Sequence, residues 1–151
     1  MPSIASLLNS LTTDYPAITF TEATAFSWSP DTQTVFYAPT DPDADALLLH
    51  ELSHGLLKHH AYNRDIELLA MESAAWQKAR ELSVRYEVAI SEDTAEDNLD
   101  TYREWLHARS TCPACTATGY QDGTSTYSCP ACQHRWKVNE AKICALRRHS
   151  L

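Results

Sequence analysis

The sequence predicts an α+β chain in two parts. An acidic body over residues 1–107, built of helices and a β-hairpin or small sheet, precedes a basic four-cysteine module over residues 108–151. Charge, cysteine placement and hydrophobic periodicity carry that reading. Residues 1–107 hold 6 Lys and Arg against 18 Asp and Glu, a net −12, whereas residues 108–151 hold 6 against 2, a net +4. All five cysteines lie in the second part, at 112, 115, 129, 132 and 144. Within the body, apolar spacing switches between helix-like and strand-like runs.

With 151 residues, 44% of them hydrophobic and 21% charged, the composition is that of a soluble globular chain with room for one ordinary core and a small module. Two full domains do not fit. No apolar run nears the roughly 20 residues of a membrane span, and the first residues lack the basic start and apolar stretch of a secretory signal. The expectation is therefore a cytoplasmic protein with no membrane partner.

Ile4, Leu7, Leu8 and Leu11 recur at helical spacing behind Ser3, a capping residue, and predict a short amphipathic helix over 3–11. Phe26-Ser27-Trp28 and Thr34-Val35-Phe36-Tyr37 are strand-forming runs joined by Ser29-Pro30-Asp31-Thr32, a turn composition, and predict a β-hairpin. Residues 39–45 hold two Pro and three Asp and break the chain before a helix that starts near 43–46 and runs to about Lys58. A second helix is predicted over 65–87, with Asp65 as its N-cap and Leu68, Leu69, Glu72, Ala75, Trp76 and Ala79 on one stripe. The acidic stretch 91–100 looks like a connection, and 99–109 like a shorter third helix.

The first of the long helices carries His50-Glu51-Leu52-Ser53-His54, an HExxH pattern. Spacing i, i+4 puts both imidazoles on one face, where they converge on one Zn²⁺ at ~2.0–2.1 Å. Glu51 projects beside them, placed to take a proton from a metal-activated water. Leu47-Leu48-Leu49 before the motif and Gly55-Leu56-Leu57 after it bury the face, and two buried histidines need a partner such as a metal. Three residues compete to be the third ligand. His60 has metzincin spacing, but Leu57 stands where that pattern needs a helix-breaking Gly, so the helix continues and carries His60 away from the metal. His59 fails similarly. Glu72 lies on the apolar stripe of the next helix, after a short connection over 60–64, and a carboxylate there is costly unless paired or metal-bound. The residues favour Glu72.

His50-Glu51-Leu52-Ser53-His54 followed by Met71-Glu72-Ser73-Ala74-Ala75-Trp76 resembles the gluzincin metallopeptidases. The preceding hairpin and the small size resemble the minigluzincins and the ImmA/IrrE-type enzymes, over residues 25–88. The resemblance implies a small zincin-like catalytic domain, with an active-site helix and a glutamate helix. It also implies a zinc-dependent endopeptidase acting on protein or peptide, with His50, His54 and Glu72 holding a catalytic zinc and Glu51 as general base. In one respect the sequence departs from the family. Many gluzincins carry an Asp four residues after the ligand Glu to orient a ligand His, and that position is Trp76 here. Asp65 and Glu67 are candidates for the orienting role. His60, Tyr62, Tyr86, Tyr102 and His107 are all available as a second oxyanion donor. The strand over 34–37 is expected to be an exposed edge that holds an extended peptide.

Cys112-Pro-Ala-Cys115, thirteen residues, then Cys129-Pro-Ala-Cys132 is a strong Cys₄ zinc pattern. Residues 116–128 suit a hairpin joining two knuckles, and the module resembles a zinc ribbon. A closed Cys₄ shell makes this second zinc structural. Cys144 is left over on a predicted final helix over 139–146. Arg109, Arg135, Lys137, Lys142, Arg147 and Arg148, with Tyr120, Tyr127 and Trp136 between them, are expected either to contact nucleic acid or to dock on the acidic body. Two further readings compete with the endopeptidase. One is an SprT-like DNA-associated protease, for which the downstream His-Gly site is missing; the other is a non-catalytic zinc-ribbon protein that binds nucleic acid or protein.

Overall fold

The computed structural model describes residues 3–139 and 148–151. Among them are four helices and two small sheets. No helix of the described residues is long and apolar enough to cross a membrane. The chain packs as two compact units, one of Met1–Ala61 with Met71–Ala95 and the other of Tyr62–Ala70 with Glu96–Leu151. Where the sequence suggests one boundary near residue 107, segments 62–70 and 96–107 belong with the four-cysteine part.

In the first unit, α1 (Ile4–Asp14) begins where Ser3 Oγ accepts the Ser6 amide at 3.1 Å, and it buries Leu7 and Leu11. Three strands follow, β1 (Thr19–Glu22), β2 (Ser27–Ser29) and β3 (Thr34–Tyr37), in the order β1-β3-β2. The hairpin forms as expected, with Trp28 opposite Val35 and a left-handed Gln33 (φ 51°) closing its turn. The exposed-edge expectation does not hold. β1 pairs with β3 in parallel, so Thr34–Tyr37 is the central strand and the edges are β1 and β2.

Helix α2 (Ala44–Leu56) packs on β2 and β3. It buries Leu48, Leu49 and Leu52 together with His50, Ser53 and His54, as a helix apolar on most sides must. A Cβ at Gly55 would lie 2.8 Å from the Trp28 ring, so the glycine is what lets the indole lie on the helix. The helix ends two residues before the expected Lys58. Lys58 takes a left-handed conformation (φ 57°), its amide bonds Gly55 O at 3.1 Å, and the His59 amide bonds His54 O at 2.9 Å. This is a Schellman reversal made without the usual glycine.

Helix α3 (Asp65–Tyr86) forms as predicted and buries Leu68, Glu72, Ala75, Trp76, Ala79 and Leu82 at helical spacing. Asp65 is its first helical residue rather than its N-cap, because its carboxylate is engaged elsewhere in the second unit. Glu67 reaches back instead, its Oε2 accepting the Asn63 amide at 3.0 Å. Helix α4 (Glu92–Ser110) starts seven residues earlier than predicted. Ser91 Oγ accepts the Thr94 amide at 3.0 Å, Glu92 and Asp93 suit the positive end of the helix dipole, and Arg103 bonds Glu96 and Asp100 at 2.8 Å each. The acidic run is thus helix, not connection.

The second unit carries an antiparallel sheet of β4 (Tyr120–Gln121), β5 (Thr126–Ser128), β6 (Arg135–Val138) and β7 (Arg148–Ser150), in chain order. Cys112, Tyr127, Cys129, Trp136 and Val138 form its buried cluster. The predicted final helix over 139–146 lies, beyond Asn139, outside the described residues, and Cys144 lies there too. Gly119 sits under the Trp136 ring, and a Cβ there would approach Ser128 O to 2.8 Å and the indole more closely still. Gly119→Ala is expected to destabilise this unit by about 1–3 kcal/mol, because neither the backbone carbonyl nor the fully buried indole has room to yield. Denaturant unfolding of the metal-loaded chain, followed through tryptophan fluorescence, measures the change.

Candidate metal sites

Helices α2 and α3 bring three polar side chains of the first unit to one point. His50 Nε2 lies 2.8 Å from Glu72 Oε2, His54 Nε2 lies 3.1 Å from the same oxygen, and the two nitrogens are 3.3 Å apart. The i, i+4 spacing supplies the two imidazoles, and the apolar stripe of α3 carries the carboxylate in among buried side chains. All three residues are at most 6% exposed. Three convergent donor atoms fit one small divalent ion, since neighbouring ligands of a tetrahedral ion with bonds of ~2.0–2.1 Å stand ~3.3 Å apart.

Electrostatics follow from that closeness. Burial alone would raise the Glu72 carboxyl, but hydrogen bonds from His50 and His54 hold it down at about 2, so it is an anion throughout the neutral range. Burial lowers His50, keeping it neutral and able to offer a lone pair. At His54 burial also acts downward, yet Glu72 and Glu51 outweigh it and the net shift is upward. Burial pushes the Glu51 carboxyl, next to His50 in the chain, up to about 7. That is where a proton acceptor working at neutral pH should be.

The outer nitrogens of the two imidazoles are treated differently. His54 Nδ1 is 2.9 Å from His59 Nδ1. His50 Nδ1 is buried with no hydrogen-bond partner among the described residues, and the Trp76 ring stacks on this imidazole with centroids 4.2 Å apart and planes 23° apart. Neither candidate for orienting the histidines serves: Asp65 bonds Arg109 and Tyr127, and Glu67 bonds Asn63. The sequence sets His59 aside as a ligand and gives no sign of its contact with His54. Only the left-handed turn at Lys58 reveals it, and the sequence has no glycine to announce that turn.

His60 is exposed, with Nδ1 3.3 Å from Ala61 O, and takes no part in the three-residue group. Beside it a cavity of about 480 Å³ is lined by Trp28, Gly55, Lys58, His59 and His60, among others. Of the other proposed oxyanion donors, Tyr86 gives its hydroxyl hydrogen to Asp14 at 2.6 Å, while Tyr62, Tyr102 and His107 belong to the second unit.

Cys112, Cys115, Cys129 and Cys132 gather in the second unit with all four sulfurs within 4.8 Å of one another. Cys112 Sγ lies 3.7 Å from Cys132 Sγ and Cys115 Sγ lies 3.5 Å from Cys129 Sγ. Both separations exceed a disulfide and are near the ~3.8 Å edge of a tetrahedron with metal–sulfur bonds of ~2.3 Å. The two Cys-Pro-Ala-Cys knuckles repeat one another. The Thr116 amide bonds Cys112 O at 2.9 Å and the Gln133 amide bonds Cys129 O at 3.0 Å, and both Thr116 and Gln133 are left-handed at φ 67°. Each first cysteine then bonds the chain two residues beyond the second, Cys112 to Ala117 O and Cys129 to His134 O, both at 2.8 Å.

Part of the expected nucleic-acid surface is engaged within this unit. Tyr127 and Trp136 are buried, Arg109 pairs with Asp65 at 2.7 Å, and Arg135 pairs with Asp122 at 3.2 Å. Tyr120 and Lys137 stay exposed, and Lys142 and Arg147 lie outside the described residues. No protein-family model, curated protein or solved structure matches the chain.

Proposed function

We propose that the chain is a zinc-dependent endopeptidase whose first unit is a minimal zincin-like domain of gluzincin type and whose cysteine module is a structural zinc ribbon. The observation that carries this reading is the convergence of His50 Nε2, His54 Nε2 and Glu72 Oε2, with the desolvated Glu51 on the same helix. A His₂Glu donor set leaves one position of a tetrahedral ion open, whereas the Cys₄ set leaves none, so the two sites take a catalytic and a structural role respectively.

His50, His54 and Glu72 would hold zinc, which when bound would acidify a water and polarise a peptide carbonyl. Glu51 accepts the proton that the water gives up as it attacks the carbonyl carbon, and then delivers it to the departing amine nitrogen. Glu72, held as an anion, balances part of the ion's charge. A base works only when unprotonated, so cleavage falls as pH drops through the Glu51 pKa. Burial, opposed by the charge of His54, sets that value at about 7, which puts the acidic limb near neutrality.

Cleavage of denatured casein by the zinc-loaded chain, compared with Glu51→Gln, tests the proposal. The variant should keep both metal ions and lose activity by about 10²–10⁴-fold or more. Equal cleavage by variant and parent, or none by a parent with both sites loaded, contradicts it.

A further inference from the structure

His54 Nδ1 and His59 Nδ1 stand 2.9 Å apart, and when both imidazoles are neutral one proton lies between them, so one donates and the other accepts. Which does which follows from the metal-site reading of His50, His54 and Glu72, on which this inference rests. A neutral imidazole that turns its Nε2 lone pair toward the ion keeps its hydrogen on Nδ1. His54 is therefore the donor and His59 the acceptor, with the hydrogen of His59 on its own Nε2.

We propose that His59 is a positioning residue of the catalytic metal site, fixing the tautomer and ring plane of His54 by accepting the Nδ1 hydrogen bond. The backbone around it is arranged for that one contact. Lys58 adopts a left-handed conformation that a lysine takes only at a cost, and the reversal returns residue 59 to the helix end. The His59 amide then bonds His54 O at 2.9 Å, and the His59 carbonyl accepts the Trp28 indole hydrogen at 3.3 Å. Both anchors belong to the main chain of His59, so the imidazole is free to serve His54, which it meets with ring centroids 5.1 Å apart. His50 is held in another way, by the stacked face of Trp76. The two ligands thus divide the means of orientation, a hydrogen bond for one and a ring stack for the other.

Zinc affinity of the full-length chain, measured by competition with a chromophoric chelator, tests the assignment in the parent, Glu72→Ala, His59→Ala and His59→Asn. Glu72→Ala should lose one of the two ions. His59→Ala should weaken that same ion by about 10–100-fold and leave the cysteine-bound one untouched. His59→Asn presents Oδ1 close to where Nδ1 stood and should recover most of the loss, with the visible spectrum of the Co²⁺-substituted site returning to that of the parent. If His59→Ala binds within twofold of the parent, or if Asn is as weak as Ala at an unchanged thermal midpoint, the positioning role is overturned. If Glu72→Ala keeps both ions, the metal-site reading itself fails and the role of His59 goes with it.

Discussion

Replacing Cys129 by serine is expected to cost the second unit its metal ion and, with the ion, the fold of its cysteine module. The buried cluster there is only Cys112, Tyr127, Cys129, Trp136 and Val138, and two of these five side chains are sulfur donors. So small an apolar core does not offset the conformational entropy of ordering the module, and the metal must supply the difference. Apparent binding energies of structural zinc in small domains are about 10–16 kcal/mol, more than a typical domain's whole stability. Limited proteolysis should therefore cut Cys129→Ser between residues 112 and 138, where the parent resists, and elemental analysis should find one ion fewer. A variant that stays protease-resistant with one ion missing would show that the sheet stands without its metal.

Arg109→Ala should be nearly as damaging, by a different route. Arg109 and Asp65 are both buried, with Nε 2.7 Å from the carboxylate, and Tyr127 adds a hydroxyl hydrogen bond to the same oxygen at 2.5 Å. The guanidinium also lies over the Trp105 ring and donates to Asn139 O, while the Arg109 carbonyl accepts the Trp136 indole hydrogen at 2.9 Å. Removing the cation strands a carboxylate in a buried place, for which about 3–5 kcal/mol of destabilisation is expected. Replacing Asp65 as well, with an apolar residue of similar size, should return part of that loss, because the stranded charge goes too. Equilibrium unfolding of the two single variants and the double variant measures the coupling, and additive losses would mean that the pair is not a unit.

That pair also marks where the sequence stops being informative. Asp65 reads locally as a helix cap, but its partners lie 44 and 62 residues further along the chain, and no window of local pattern contains them. The same holds for β3. Its strand character was legible in Thr34-Val35-Phe36-Tyr37, but its central place depends on a parallel partner, β1, whose Thr19-Phe20-Thr21-Glu22 holds a single apolar residue and no strand signal of its own. Helix α4 was missed at its start because an acidic run has linker composition; what makes it helix is the Ser91 cap and acids placed where the helix dipole favours them. By contrast, the spacing of His50 and His54 and the position of Glu72 on an apolar stripe were enough to single out the three side chains that the fold brings together. Helix periodicity is a local property, and here the site is built almost wholly from it. The cysteine cluster was legible for the same reason, since two short knuckles set its geometry. His59 was not, because a left-handed lysine turns the chain where the sequence suggested that the helix would continue.

On the proposed function, two ions of one metal are held by two donor sets, one open and one closed. Anomalous scattering from crystals of the 151-residue chain, recorded on both sides of the zinc absorption edge, locates them. Two zinc peaks per chain are expected. One should lie among His50 Nε2, His54 Nε2 and Glu72 Oε2, and the other at the centre of the Cys112, Cys115, Cys129 and Cys132 sulfurs. A single peak among the sulfurs, from crystals grown with zinc in excess and with Glu72 still hydrogen-bonded directly to both histidines, would contradict it.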